Sequence, residues 1–336
     1  MTSGAISDLQ GLQDCVGHSP GPRDLKVIDH LDAHATDWIA ASPFLFAGFG
    51  DGDAIAVTAG GGVEGFVRVD HARQLSLPVA SLDDAHVARR GQGVGCLFLV
   101  PGLRETLRVN GRVENVDAGH VVVTVQECYL HCAKALIRSA FWEALPREEE
   151  AHDAHAFLHA CRFMALATID QAGRADLSPK GDPAGALLQV REEAVWYPDR
   201  PGNRRVDSFR NILEQPRIAA LALVPGCTQL AYLSGTVHLS TDAAMREAFA
   251  VDGKIPKLVA CIRDARLRLQ RSAALARAQL WPVTPTKAAL DPAAIFKAHV
   301  QASRGGGMQG AIARAAVSIP GVMRKGLDND YKKNLY

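Results

Sequence analysis

Residues that could do chemistry concentrate in two stretches of this 336-residue chain, SPKGDP (178–183) and PDRPGNRR (198–205). The first offers the Ser178 hydroxyl, the Lys180 ammonium and backbone N–H groups beside Gly181. The second sets Arg200, Arg204 and Arg205, with Asn203, on a Pro/Gly turn. A phosphate is held by such a set: Arg for bidentate contact, Lys as a point charge, amides and hydroxyls for the remaining oxygens. A helix expected near 206–213 would aim its N-terminal amides at the same anion. The competing reading is a hairpin carrying ordinary surface charge, because exposed Arg and Lys are common.

A third stretch, ECYLHCAKALIR (127–138), reads as helical. Glu127/His131 and Cys128/Cys132 then form i,i+4 pairs, a metal-ligand spacing. The pairs lie about 100° apart around a helix, and no second His/Cys cluster completes a site. The expectation is therefore a packed helix and no metal. GQGVGC (91–96) and GGGVEG (60–65) are glycine-rich, but neither opens a helix within a βαβ unit, and no phosphate-loop or nucleophile-elbow motif is present.

The elements that must position these residues occur twice. CLFLVPGLRETLRVNGRV (96–113) matches ALALVPGCTQLAYLSGTV (220–237), with LVPG in both. Upstream, IAVTAGGGVEGFVRV (55–69) matches ADLSPKGDPAGALLQV (175–190) at a shift of 120 residues. Downstream, AKALIRSAFW (133–142) matches SAALARAQLW (272–281), and the order of matches is the same in both halves. Each copy has the texture of a small antiparallel barrel. FMALATID and RADLSPKG flank a Gln-Ala-Gly turn, a hairpin signal. LLQVREEAVWYPD gives a further strand pair, and RIAALALVPG is an apolar run suited to a strand buried on both faces. A helix carrying LHCAKALIRSAFW closes the first copy. The expected fold is mainly β with helices (α+β). It comprises an N-terminal repeat over 1–147, a C-terminal repeat over 148–285 and a helical, basic tail over 286–336. In the tail, Asp291-Pro292 opens a helix through about Ala302. From residue 287 onward there are eight Lys or Arg against three Asp. The tail is either a solvated arm or a segment that crosses a dimer or covers the site.

Composition bounds the partners. The length suits roughly two domains of ~150 residues. A net charge of +1 gives no argument for nucleic acid or membrane as partner. No apolar run reaches the ~18 residues of a membrane span, and the first residues lack a secretory pattern, so cytoplasm is the expected location. Seven scattered cysteines without a CxxC pair read as reduced thiols.

SPKGDP…YPDRPGNRRVDSFRNILEQPRIAALALVPG resembles the pyridoxamine 5′-phosphate oxidase-related FMN-binding split-barrel family, covering its central region from Phe163 to Gly235. LFLVPGLRETLRVNGRV and ECYLHCAKALIRSAFW resemble the family's later part. The resemblance implies two tandem split barrels and FMN as cofactor. It assigns the FMN phosphate to Lys180, Arg200, Arg204 and Arg205, helped by Ser178, Gly181 and Asn203. In that family, homodimers carry two flavins at the interface, each touched by both subunits.

The chain departs from this pattern in both halves. The first half has TAGGGV (58–63) where the second has SPKGDP, and Asp83 and Asp84 stand where the second turn has arginines. Two carboxylates repel a phosphate dianion, so the first site is expected to have lost FMN. Conversely, Gln270 replaces His131 and Ala273 replaces Lys134 in the second half. Each half keeps what the other has lost. A composite site explains this with one assumption: one FMN per chain, its phosphate on the second repeat and its ring toward the first. Drift in two dead repeats is the alternative, and the partner helix could come from another chain.

The resemblance thus implies an FMN-dependent oxidoreductase acting on a small molecule, with NAD(P)H as a candidate reductant. His131 and Lys134 are the candidate catalytic residues, and Arg138 and Arg108 would stabilise the flavin or orient substrate. Surface pairing is the plainer account of those arginines. A true pyridoxamine-phosphate oxidase is disfavoured, because that enzyme's Trp, Arg-Leu, Pro motif does not follow Trp142 or Trp281. The rivals are a flavin carrier or sensor without turnover and a haem-binding split barrel. The chain is expected as a monomeric pseudo-dimer or a homodimer.

Overall fold

The computed structural model describes residues 4–17, 25–148, 151–202, 206–303, 326, 329–331 and 333–336. The chain opens with β1 (Ala5–Ile6), α1 (Leu9–Val16) and α2 (Ala33–Ala40). The first sheet follows with β2 (Phe44–Asp51), β3 (Ala54–Gly61), β4 (Arg68–His71), β5 (Gln74–Pro78), β6 (Gly93–Leu99), β7 (Thr106–Val116) and β8 (His120–His131). Two helices, α3 (Lys134–Arg138) and α4 (Ala154–Ala160), lead to the second sheet. It begins with β9 (Phe163–Ile169), β10 (Ala175–Gly181), β11 (Gln189–Arg191) and β12 (Ala194–Pro198). Then come α5 (Asp207–Glu214), β13 (Arg217–Leu223), β14 (Gln229–Ser240), α6 (Ala243–Ala248), β15 (Val259–Arg271), α7 (Ala273–Ala278) and α8 (Pro292–Ala302).

The two sheets have the same strand order. The first runs β3-β2-β6-β7-β8-β5-β4 and the second β10-β9-β13-β14-β15-β12-β11, every pairing antiparallel. This is the topology of two α+β split barrels. The hairpins expected from FMALATID/RADLSPKG and LLQVREEAVWYPD form as β9–β10 and β11–β12.

Alternation along the central strands explains why their sequences are apolar without interruption. In β2, Leu45, Ala47 and Phe49 point into the first sheet's own core, whereas Phe44 and Phe46 enter a third core between the sheets. In β9, Met164 and Leu166 fill the second core, while Phe163, Ala165 and Ala167 join the shared one. β13 divides in the same way, with Ile218, Ala220 and Ala222 inward and Ala219, Leu221 and Leu223 between the sheets. Both faces are therefore dry, and period-2 polarity is lost. Phe46 and Phe163 stack across the seam at 5.7 Å. The GQGVGC stretch is explained by this seam: a Cβ at Gly93 would overlap the Gly173 carbonyl oxygen of the other half.

One expectation is corrected. The stretch 127–138 is not one helix: β8 runs to His131 and only 134–138 are helical. The valine-rich HVVVTV run pairs with β7, and across two register shifts the pairing continues to His131, with Cys128 and Leu130 in the first core. Glu127 and His131 consequently lie ~13 Å apart along a strand, too far to share a metal. Likewise β15 runs to Arg271 before the short α7. The chain ends also cross over. β1 pairs with the far end of β14, and Leu12 of α1 lies in the second core, although both precede the first sheet. Helix α8, capped by Asp291 with Pro292 in its first turn, places Ile295 in the first core. No disulfide joins any of the seven cysteines. No helix among the described residues is long and apolar enough to cross a membrane.

Candidate functional site

A cavity of about 480 Å³ opens where the two halves meet. The second half supplies Ser178, Lys180, Gly181 and Asp182 from β10 and its exit, Pro198 to Gly202 after β12, and the first residues of α5. The first half supplies Arg108 from β7, His131 at the end of β8, then Cys132, Ala135 and Arg138. Of the expected site residues, Arg108, His131, Arg138, Ser178, Lys180, Gly181 and Arg200 are thus gathered around one space. Asn203, Arg204 and Arg205 lie outside the described residues. Lys134 is not in the wall: its side chain is buried, and its ammonium pairs with Asp330 at 2.8 Å.

The contact between β10 and α3 fixes the join. Arg138 Nε donates to the Gly181 carbonyl at 2.9 Å, and a second guanidinium nitrogen donates to the Pro201 carbonyl at 3.1 Å. A Cβ at Gly181 would overlap the Ala135 carbonyl oxygen, so only glycine lets the helix come this close.

Several cations are already committed. Arg108 is buried, ion-paired to Asp176 at 2.5 Å and bonded to the Tyr129 hydroxyl, with a longer contact to Ser178 Oγ. Ser178 in turn donates to Asp176 at 2.9 Å. This network crosses the seam and holds β7 to β10. Arg200 Nε donates to Asp182 at 2.7 Å and Nη2 to the Phe249 carbonyl. Asp182 also lies 3.8 Å from Arg138, so one buried carboxylate faces an arginine from each half. Burial raises the Asp182 carboxyl above the usual range, and Arg200 and Arg138 oppose the shift. Burial likewise lowers Arg138 and Lys180 and raises Asp199, with Lys180 and Asp199 opposing each other's shifts. Lys180 Nζ stands 4.6 Å over the Phe209 ring, which ties it to the start of α5. Among the described residues no side chain caps α5 at Val206, and the helix begins beside the cavity.

Sequence reasoning missed Lys254 and Lys257, which line the cavity from the loop before β15. Their stretch, DGKIPK, pairs lysines with Gly and Pro as PDRPGNRR does with arginines, and that texture was the available signal. Asp182 and Asp199 stand within the quoted motifs and were not singled out among the site residues. Nothing local marks Tyr336, whose ring lies 5.4 Å from the Arg200 guanidinium.

The equivalent dock of the first half is made by the same kind of contacts. Arg277 of α7 donates to the Gly61 and Ser81 carbonyls, as Arg138 does to Gly181 and Pro201. At the 120-residue offset, Asp83 stands opposite Asn203 and Asp84 opposite Arg204, so only one of the two acids replaces an arginine. Asp83 accepts from Ser272 Oγ at 2.5 Å and Ala274 N at 2.7 Å, capping α7 with a carboxylate. The residues present around the cavity fit a phosphate-bearing ligand: several cations, the start of α5, and a cavity within the ~300–1,000 Å³ of ordinary cofactor sites.

The family model for pyridoxamine 5′-phosphate oxidase matches residues 151–290, the half that carries the phosphate-type motif. No curated protein matches the chain in sequence. Among solved structures, HupZ of Group A Streptococcus is 18% identical, covering 38% of this chain and 98% of its own, with a TM-score of 0.30. An F420 reductase is 13% identical, covering 36% and 98%, with a TM-score of 0.27. General Stress Protein 26 of Bacillus anthracis is 11% identical, covering 35% and 95%, also at 0.27. Likenesses this distant transfer no function.

Proposed function

We propose, from the premise that residues 151–290 belong to the pyridoxamine 5′-phosphate oxidase family, that this chain is an FMN-dependent oxidoreductase with one composite site. The observation that carries this reading is the cavity between the halves, with Lys180 and α5 on one side and His131 and Arg138 on the other. Lys180, the amides at the start of α5 and the arginines of the 198–205 turn would hold the phosphate; Arg138 and His131 would face the remainder of the cofactor. When bound, FMN supplies the two-electron chemistry. The chain's own contribution is to bind, to orient and to exclude water. His131, at the end of β8, is positioned to hold or pass a proton at a ring nitrogen, and Arg138 supplies a fixed positive charge. Lys134, bound to Asp330, acts only if that pair opens.

The purified protein should show flavin absorption bands, with FMN bound far more tightly than riboflavin by calorimetry. A Soret band would favour haem instead, and equal affinities for FMN and riboflavin would remove the phosphate argument.

A further inference from the structure

The described residues of the 330–336 stretch lie beside the cavity, and their contacts reach Arg138 and Arg200 in its wall and Lys134 behind it. The Asp330 carboxylate pairs with Lys134. The Tyr331 hydroxyl donates to the Glu105 carboxylate at 3.0 Å and accepts from Ala133 N at 3.3 Å. The Leu335 carbonyl accepts from Arg138 at 2.8 Å. The Tyr336 ring stands 6.0 Å from the Arg138 guanidinium carbon and 5.4 Å from that of Arg200, and it lines the cavity itself. A carbonyl and the negative face of a ring therefore cover Arg138 and Arg200, two cations of the cavity wall that would otherwise meet an anionic ligand, while the Asp330 carboxylate fastens the segment to Lys134 behind that wall.

The attachment is polar. None of the described residues from 329 onward belongs to a hydrophobic core. The Asp330 side chain is 44% exposed although its lysine is 2% exposed. Water can compete for the exposed Asp330 carboxylate, so that ion pair holds the segment only weakly. We propose that residues 330–336 form an autoinhibitory strap, an internal occupant of the cation wall that a phosphate-bearing ligand displaces. The identity of that ligand as FMN rests on the function proposed above; the strap does not.

The test titrates FMN, and separately inorganic phosphate, into the intact chain and into its Asp330→Ala/Tyr336→Ala variant. The variant is expected to bind both on the order of fivefold more tightly, and either ligand should speed tryptic cleavage after Lys333 in the unaltered chain. Tighter phosphate binding by the variant without FMN binding by either form would keep the strap and remove FMN as the ligand. Equal or weaker binding of both ligands by the variant, or ligand protection of Lys333, would make the segment a wall of the site and overturn the strap. Binding of neither ligand by either form would overturn it together with the cofactor.

Discussion

Arg138 in the first half and Arg277 in the second make the same pair of hydrogen bonds across the seam. Each Nε donates to the glycine that ends the opposing β-strand, Gly181 or Gly61, at 2.9 Å. Each guanidinium also donates to a carbonyl three residues after that half's matching proline, Pro201 or Ser81. The residues following each helix match too: Ala140 and Gln279 both take a left-handed backbone with φ of 46°. The two halves thus dock through equivalent contacts, yet only one dock borders the cavity.

Replacing either arginine by alanine should therefore destabilise the fold alike, by roughly 1.5–3 kcal/mol, the range for hydrogen bonds to charged groups. Only Arg138→Ala should weaken FMN binding. Urea unfolding and a flavin titration read the two effects separately. Equal loss of FMN affinity in both variants would refute the assignment of the site to one dock.

Lys180→Ala should cost FMN binding about 1–3 kcal/mol. Burial lowers the Lys180 ammonium below its ordinary 10.5, with Asp199 opposing and Arg138 reinforcing the shift. A phosphate stabilises the ammonium, so bound FMN raises that pKa. Affinity should be constant from pH 7, where the phosphate is already mostly dianionic, up to the lowered lysine pKa, and then fall as pH rises toward 10.5 and beyond. A Lys180→Met variant should show no such fall. A wild-type profile as flat as the variant's would show that Lys180 does not meet the phosphate.

How much was legible follows from where the information lies. The duplication, the strand pairs and α8 were readable because hairpin turns, LVPG and Asp-Pro caps are local signals. The end of β8 was misread because ECYLHCAKALIR contains helix formers. What decides its conformation is pairing with β7, through Thr106 opposite His131, and contact with the other half. Lys134 was expected to face a cofactor, but its partner Asp330 lies nearly 200 residues away, where no spacing could reveal it. The attachment of α1 to the second core was hidden for the same reason.

Asp83 offers a test of the first-half dock, where it caps α7. Its carboxyl is raised by burial, with Ser272 and Ala274 opposing the shift through hydrogen bonds. Because the folded pKa exceeds the unfolded one, the protonated acid favours the fold. That contribution is full below about 3.8 and is lost as pH rises through the folded value. Relative to Asp83→Asn, the wild type should gain stability as pH is lowered into this window, measured by urea unfolding. At pH 7, the wild type should take up one flavin per chain. Two flavins per chain would mean that Asp83 does not close the first site.

Gly61→Ala and Gly181→Ala separate docking from binding most directly. At either position a Cβ would overlap a helix carbonyl, that of Ala274 or Ala135, and backbone cannot rotate aside as a side chain can. Each substitution must push its helix away from the opposing strand, at a cost of about 1–3 kcal/mol or more for an overpacked contact. In the first-half dock, that movement loosens the Asp83 cap on α7 and touches no ligand. In the other, it draws Ala135 and Arg138 out of the cavity wall while leaving Lys180 and α5 in place. Both variants should unfold at lower urea. Gly181→Ala should bind FMN several-fold more weakly, while inorganic phosphate, held by the second half, should bind it nearly as before. Gly61→Ala should bind both ligands as the wild type does. If Gly181→Ala loses phosphate as fully as FMN, the two halves do not divide the ligand between them, and the composite site is wrong.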